Sequence, residues 1–416
     1  MNIKILFLTV FCFTSFGLAT AQHSIHTQPL SDEIKSIQIL VNDDPFLPPI
    51  IKLQGDDRII LKFDKLSIEE PRLRYRIFHC TANWQKSDLT DIDFLNGFNN
   101  QLIEDYRFSE NTTVSYIHYD LNFPNRQVSP KVSGNYAIEV YYETAPDDPL
   151  LQACFSVTEN QVRIQGSVSG NTDFDFNKAH QQISFEISHP RLSFHDAKRE
   201  IMVTVLQNNC LNFARKNVQP TYIYPNRLVF EHNPDLIFEA GNEYRRFEIQ
   251  SRRYGGMGVE WIRYTHPHYV AMLNTDEVRA NKTRQYDQDQ NGRFFLRTTD
   301  GDDSDVEADY FEVLFNLNSQ ESIYPLHVIG DFTYNNPKNF VLHFDEATQK
   351  YQLSTLLKQG FYNYLYVSAQ DDEHYSMSQI EGNYYDTSNE YLIMVYHRPP
   401  ASRFDKLIGW QLLKTE

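Results

Sequence analysis

The stretch RLRYRIF, Arg72 to Phe78, decides the fold. Leu73, Tyr75 and Ile77 alternate with Arg72, Arg74 and Arg76, so a side-chain period of two makes one face apolar and the other cationic. That is a strand with one face buried and one wet. The pattern recurs in ISFEIS, where Ile183, Phe185 and Ile187 oppose Ser184, Glu186 and Ser188. It recurs again in DYFEVLFNL, with Phe311, Val313 and Phe315 around Glu312. Half-buried strands of this kind imply antiparallel sheets. The 26 tyrosines and 29 phenylalanines suit pleated surfaces better than helix interiors. Only LTDIDFLNGFNN (89–100) and EATQKYQLSTLLKQG (346–360) carry hints of short helical turns.

At about 150 residues per domain, a chain of 416 residues implies two or three domains. We expect three consecutive antiparallel β-sandwiches of immunoglobulin-like type at 28–158, 159–285 and 300–416. The Pro- and Asp-rich ETAPDDPL (143–150) reads as a loop near the end of the first. The polar runs ANKTRQYDQDQNG (280–292) and TTDGDDSD (298–305) precede the strands of the third.

The N-terminal MNIKILFLTVFCFTSFGLATAQ runs from Lys4 through an apolar core to Ala19-Thr20-Ala21, the pattern of a secretory signal peptide over 1–21 cut before Gln22. No small-residue motif precedes Cys12, so no lipid anchor is expected, and no later segment reaches the roughly 18 apolar residues of a membrane span. Loss of Lys4 takes the net charge from −17 to −18. Nucleic acid and anionic lipid are poor partners for such a chain, because both are bound through Lys and Arg. Cys80, Cys154 and Cys210 remain after cleavage. We expect ordinary buried thiols, with a Cys80–Cys154 disulfide as the alternative.

Each candidate for chemistry is incomplete. In RIFHCTANWQKSDLT, His79 and Cys80 are adjacent on a strand and point to opposite faces, so they do not form a nucleophile–base pair. His79 falls with the apolar set and Cys80 with the arginines, while Trp84 packs over the following turn and Asn83 and Ser87 cap the helical turn. DQDQNG places Asp287, Asp289, Asn291 and Gly292 like the opening of a calcium loop, but its twelfth position is Thr298 and a strand follows. Asp302, Asp303 and Asp305 read as a solvated loop. His266 and His268 are too few for zinc, and no nucleophile elbow or phosphate loop occurs. We therefore expect no catalytic residues, metal or cofactor.

HCTANWQKSDLTDIDFLNGF resembles the first domain of the type IX secretion system plug protein family of the Bacteroidetes, through His79, Cys80, Trp84, Gln85, Ser87, Gly97 and Phe98. Further similarity follows in order: DYRFSENTTVSYIHYDLNFPN, KVSGNYAIEVY, FEAGNEYRRFE, NGRFFLR, EADYFEVLF, LKQGFYNYLYV and EGNYYDTSNEYLIMVYHRPPASRFDKLIG. QNNCLNFA (207–214) departs from the family pattern at one turn. The resemblance implies a non-enzymatic periplasmic protein, monomeric by itself, whose partner is the large outer-membrane β-barrel translocon. It would close the periplasmic mouth of that barrel, by a surface the sequence leaves unknown. The alternative is a glycan-binding module: VIGDFTYNN and LKQGFYNYLYV resemble glycogen-binding domains of immunoglobulin type. There Tyr334 and Asn335 occupy the place of a tryptophan, Trp410 lies far off, and Tyr334, Tyr384 or Tyr385 would supply a sugar platform.

Overall fold

The computed structural model describes residues 24–69, 71–284, 286–371 and 374–415; the signal peptide expected at 1–21, with Cys12, lies outside them. The protein is all-β, its helices being single turns such as Asp91–Phe94, Ala197–Glu200 and Ser304–Glu307. Among the described residues no helix is long and apolar enough to cross a membrane.

In the first unit the strands Ile34–Val41, Ile59–Lys65, Ile117–Phe123 and Tyr106–Phe108 form one antiparallel sheet. It packs on a second containing Leu73–Cys80, Gly134–Tyr142 and Ala145–Thr158. Leu73, Tyr75 and Ile77 enter the core between them, as the alternation requires. Their arginine neighbours stay on the outer face. Arg74 Nε donates to Glu143 at 2.8 Å and Arg76 Nε to Glu139 at 2.7 Å, and Glu139 stands opposite Arg76 in register.

Two local expectations are corrected. ETAPDDPL is a hairpin, not a loop: the chain turns at Glu143 and Thr144 into the strand Ala145–Thr158. Tyr142 pairs with Ala145 and Tyr141 with Pro149, so the bulge between them absorbs Pro146, Asp147 and Asp148. Bulges are where a sheet tolerates proline. EATQKYQLSTLLKQG holds no helix. Lys350–Lys358 is a strand along Tyr310–Asn318, and Tyr351, Leu353 and Leu357 turn into the third core. Period two prevails there because a partner strand is available to pair with.

The expected boundaries 159–285 and 300–416 are crossed by the packing. One core joins Ile183, Phe185, Val203 and Val205 to Ile393, Val395 and Ile408 from the C-terminal strands. Another joins Phe247, Ala271 and Leu273 to Phe311, Val313 and Tyr362. The chain therefore leaves the second unit after Ile237–Glu239, builds the third, and returns to finish the second with Glu390–His397 and Lys406–Lys414. The physical reason is an open edge. Ile201–Gln207 pairs along Glu390–His397 from Ile201 opposite His397 to Gln207 opposite Tyr391. Lys406–Lys414 then reaches the first unit through a parallel pair, Thr158 with Leu407, making one continuous sheet.

The two crossings are clasped by buried amides. Gln181 donates to the carbonyls of Tyr385 and Thr387 at 2.7 and 2.8 Å. Asn389 donates to Gln181 Oε1 at 2.9 Å and to the Ala240 carbonyl at 2.8 Å. Buried amides satisfied in this way fix a unique geometry.

Ile393 is fully buried in the shared core. Ile393→Ala is expected to cost about 2–5 kcal/mol, measured by chemical denaturation. Hydrogen exchange should show lost protection in strands between residues 163 and 239. Loss confined to 300–416 would contradict the shared core.

Candidate functional site

The His79–Cys80 stretch is a structural motif. His79 is buried, and its Nε2 lies 3.2 Å from the Ser133 carbonyl while its Nδ1 lies 3.0 Å from Ser87 Oγ. Nε2–H donates to the carbonyl and Nδ1 accepts the serine hydroxyl, which fixes a neutral tautomer. Burial holds the imidazole down at about 4. Gly134 makes the approach possible: at φ +132°, a Cβ there would sit 2.4 Å from Nε2. Burial pushes the Cys80 thiol up to about 12, the reverse of what a nucleophile needs.

Cys80 lies on the arginine side, yet that end of the sheet is covered by the N-terminal segment. Ile25 N–H donates to the Trp84 carbonyl at 2.8 Å and Cys154 N–H to Thr27 Oγ1 at 3.0 Å. Cys80, Cys154 and Cys210 are all free and buried. Trp84 packs against the first core from a left-handed backbone, φ +57°. Neither Asn83 nor Ser87 caps the helical turn, because Ser87 is committed to His79. Thr90 is the cap, and Asp93 completes a capping box by accepting from Thr90 N at 2.9 Å and from Thr90 Oγ1 at 2.8 Å.

The DQDQNG acids are spent on structure. Asp289 accepts from the backbone N–H of Tyr244 and, at 2.9 Å, from that of Asn291, while Asp287 pairs with Arg246. Thr298 donates to Gln359 at 3.1 Å. His266 is exposed, and His268 lies 3.3 Å from Glu312. Of the proposed sugar platform, Tyr334 gives its hydroxyl oxygen to Ile37 N–H at 2.9 Å and Asn335 accepts from Leu211 N–H at 2.8 Å. Tyr384 donates to the Lys282 carbonyl at 2.7 Å, and Trp410 packs half-buried between the first and second units. Tyr385 alone stays exposed.

The densest polar constellation lies at the seam between the first and third units. On Ile117–Phe123, His118 and Asp120 share the outer face, and across the sheet Asp64 stands opposite His118 and Lys62 opposite Asp120. The third unit covers this face. Asp64, fully buried, lies 2.6 Å from His118 Nδ1 and accepts from Tyr310 Oη and Lys358 Nζ at 2.7 Å each. Lys62 Nζ and an Arg107 nitrogen lie 3.2 and 3.1 Å from Asp305 Oδ2, and Arg107 also pairs with Asp303. Burial acts to lower the His118 pKa, but the neighbouring Asp120 and Asp64 carboxylates outweigh it and raise the group to about 9.

Asp302 to Asp305, expected as a solvated loop, is thus partly an interface: Asp303 and Asp305 face the first unit. The available signal was His118-Tyr119-Asp120, two polar groups at strand spacing on one face. It carries no distance information about Asp305. His118, Asp120 and Asp305 bring three donor atoms within 4.8 Å of one another.

Exposed apolar side chains mark possible contacts. Ile92 on the helical turn Asp91–Phe94 is 80% exposed, and Phe98, just past the short strand Leu95–Gly97 that follows the turn, is 83% exposed. The segment is braced against its neighbours. Gly97 has φ +89°, its Cβ position overlaps the Gln127 carbonyl, and Lys131 Nζ donates to the Ile92 carbonyl at 2.8 Å. Phe174, Phe176 and the edge strand Tyr222–Tyr224 are exposed on the second unit.

Comparison with known proteins gives two findings. Residues 34–159 match the family model described as the type 9 secretion system plug protein first domain. A crystal structure of a hypothetical protein from Parabacteroides merdae is 41% identical, with a TM-score of 0.93 over 95% of this chain and 100% of that one. No curated protein matches.

The His79 environment predicts an acid sensitivity. A folded-state pKa near 4 against about 6.5 in the unfolded chain means the folded state binds fewer protons. The stabilisation is complete above pH ~6.5 and is lost as pH falls toward 4. Burial holds the carboxyls of Asp289 and Asp331 up at about 7 and about 6, and these act in the opposite sense. The measurement is therefore a difference: His79→Gln should flatten the fall in melting temperature between pH 6.5 and 4 relative to wild type. An unchanged slope would contradict the assignment.

Proposed function

Because the chain belongs to the type IX secretion system plug protein family, we propose that it is a periplasmic binding protein without catalytic role that docks on the periplasmic opening of the outer-membrane translocon and seals it when no cargo is engaged. The observation that carries this reading is the match of residues 34–159 to the family's first domain, in a chain 95% of which is covered by a 41% identical structure. Family membership itself ties the protein to type IX secretion. Docking and sealing are the step proposed.

The physical reasoning runs through the channel. A barrel wide enough for folded cargo leaves an aqueous hole, since interior width grows with strand number. A seal that must yield to cargo calls for a moderate, partly polar interface. A net charge of −17 for the chain as written keeps such a protein dispersed when displaced. Ile92 and Phe98, exposed on a braced segment within the matched domain, are the docking anchors we assign. Large apolar side chains fixed in place lose little entropy on binding. The glycan reading loses support, because Tyr334 and Tyr384 are occupied with internal hydrogen bonds.

Deletion of the protein is expected to make the outer membrane permeable to large antibiotics, and deletion of the barrel as well should restore the barrier. Unchanged permeability in cells shown to contain idle barrels would contradict sealing. In the purified protein, Ile92→Ala with Phe98→Ala should leave unfolding within about 0.5 kcal/mol of wild type. It should weaken capture of the translocon by about 30-fold or more, the effect of losing a binding hot spot. Full capture by the double variant would place the docking surface elsewhere.

A further inference from the structure

We infer that His118, Asp120 and Asp305 form a site for one divalent transition-metal ion of the zinc class, at the seam between the first and third units. The inference does not rest on the sealing role. It rests on the environment of one atom, His118 Nε2.

His118 Nδ1 is committed to Asp64 at 2.6 Å. Asp64 is an acceptor there, so Nδ1 carries a proton. The ring is 2% exposed, and among the described residues its Nε2 has no hydrogen-bond partner. Nε2 points between two carboxylate oxygens, Asp120 Oδ2 at 3.5 Å and Asp305 Oδ2 at 3.7 Å. Without a proton the Nε2 lone pair would face two carboxylates, which is repulsive, so the atom needs a positive charge beside it, either a proton or a metal ion. A proton on Nε2 would draw one oxygen to about 2.7–2.9 Å, the charge-assisted range. Both distances exceed it. Donor atoms on a tetrahedral ion with bonds of about 2.0–2.2 Å stand roughly 3.4 Å apart, close to the 3.5 and 3.7 Å from Nε2 to the two oxygens, and all three atoms lie within 4.8 Å of one another.

The surroundings are those of a metal ligand set. A histidine that binds metal through one nitrogen commonly gives the other to a carboxylate, which orients the ring. Asp64 does this, itself fixed by Tyr310 and Lys358. One imidazole with two carboxylates suits zinc-class ions. The charges agree as well. Asp43, Asp64, Asp120, Asp303 and Asp305 face only Lys62, Arg107 and Lys358 as fixed cations, so with neutral imidazole two negative charges remain for a divalent ion. Lys62 and Arg107 share Asp305 Oδ2 with the site, which moderates affinity. The Asp120 and Asp305 side chains are 18% and 27% exposed and give the ion a way in. The proton that the carboxylates favour on His118 must leave when the ion binds.

Calorimetric titration of the mature protein with zinc chloride at pH 7, in two buffers of different ionisation enthalpy, tests the site. We expect one saturable ion per chain, release of about one proton, and a zinc-dependent rise in melting temperature. Asp120→Asn, which keeps the size of the side chain and removes its charge, should weaken binding at least 10-fold, and His118→Gln should abolish it. The inference is overturned by absence of saturable binding, which would leave a proton alone bridging the seam. It is equally overturned by binding that Asp120→Asn leaves unchanged, or that vanishes instead with His232→Gln in the exposed His232–Asp173 pair.

Discussion

The placement of the third unit on the first depends on one carboxylate. Asp64 is fully buried and accepts from His118, Tyr310 and Lys358 together. Taking a carboxylate and an ammonium out of water costs several kcal/mol each, and their attraction offsets this only in good geometry with the remaining lone pairs satisfied. What such a pair contributes is position more than stability. Lys358 is the last residue of its strand, and its Nζ also donates to the Asp305 carbonyl at 2.7 Å. The lysine can meet both oxygens only if the third unit lies across the outer face of the Ile59–Lys65 strand. Removing Asp64 would leave a buried cation on each side of the seam, so the contact tolerates no partial version of itself.

The strands were legible in the sequence wherever one face was wet. Leu73, Tyr75 and Ile77, Phe311, Val313 and Phe315 enter cores as their alternation implied. What failed was long-range assignment. LIMVYH in Glu390–His397 is apolar on both faces and buried throughout, as a central strand must be. Such a run names no partner, and nothing local says that it completes a core begun two hundred residues earlier. ETAPDDPL misled for a related reason: proline argues against a regular strand, but a bulge removes the objection and its signal lies in the register with Gly134–Tyr142.

The candidate sites divide on the same line. His79, Cys80 and the DQDQNG loop attracted attention through residue type, and each proves to be satisfied by its neighbours. The His118 cluster went unremarked because its members are far apart in sequence and individually ordinary. Asp305 in particular looks like one more acid in a polar loop, although it accepts from Lys62 and Arg107 across the seam. Residue type is local information, whereas a constellation is a property of the fold.

The inserted topology bears on how a seal could work. A third unit joined to the second by a single linker would hinge, as loosely connected domains do. Here it is joined by two adjacent crossings. Gln181 and Asn389 tie the crossings together through four hydrogen bonds, and the Asp64 network fixes the far side to the first unit. The first and second units are in turn fused by a shared sheet and an apolar seam of Ile50, Ala82, Leu206, Met394 and Tyr396. Each pair of units is thus joined by packed or hydrogen-bonded contacts in addition to the chain itself. For the sealing role proposed above, release by bending within the plug would require breaking a core or a buried ion network, costing several kcal/mol. Moving the whole body off the channel breaks only the docking contacts, so cargo should displace the plug as one rigid piece.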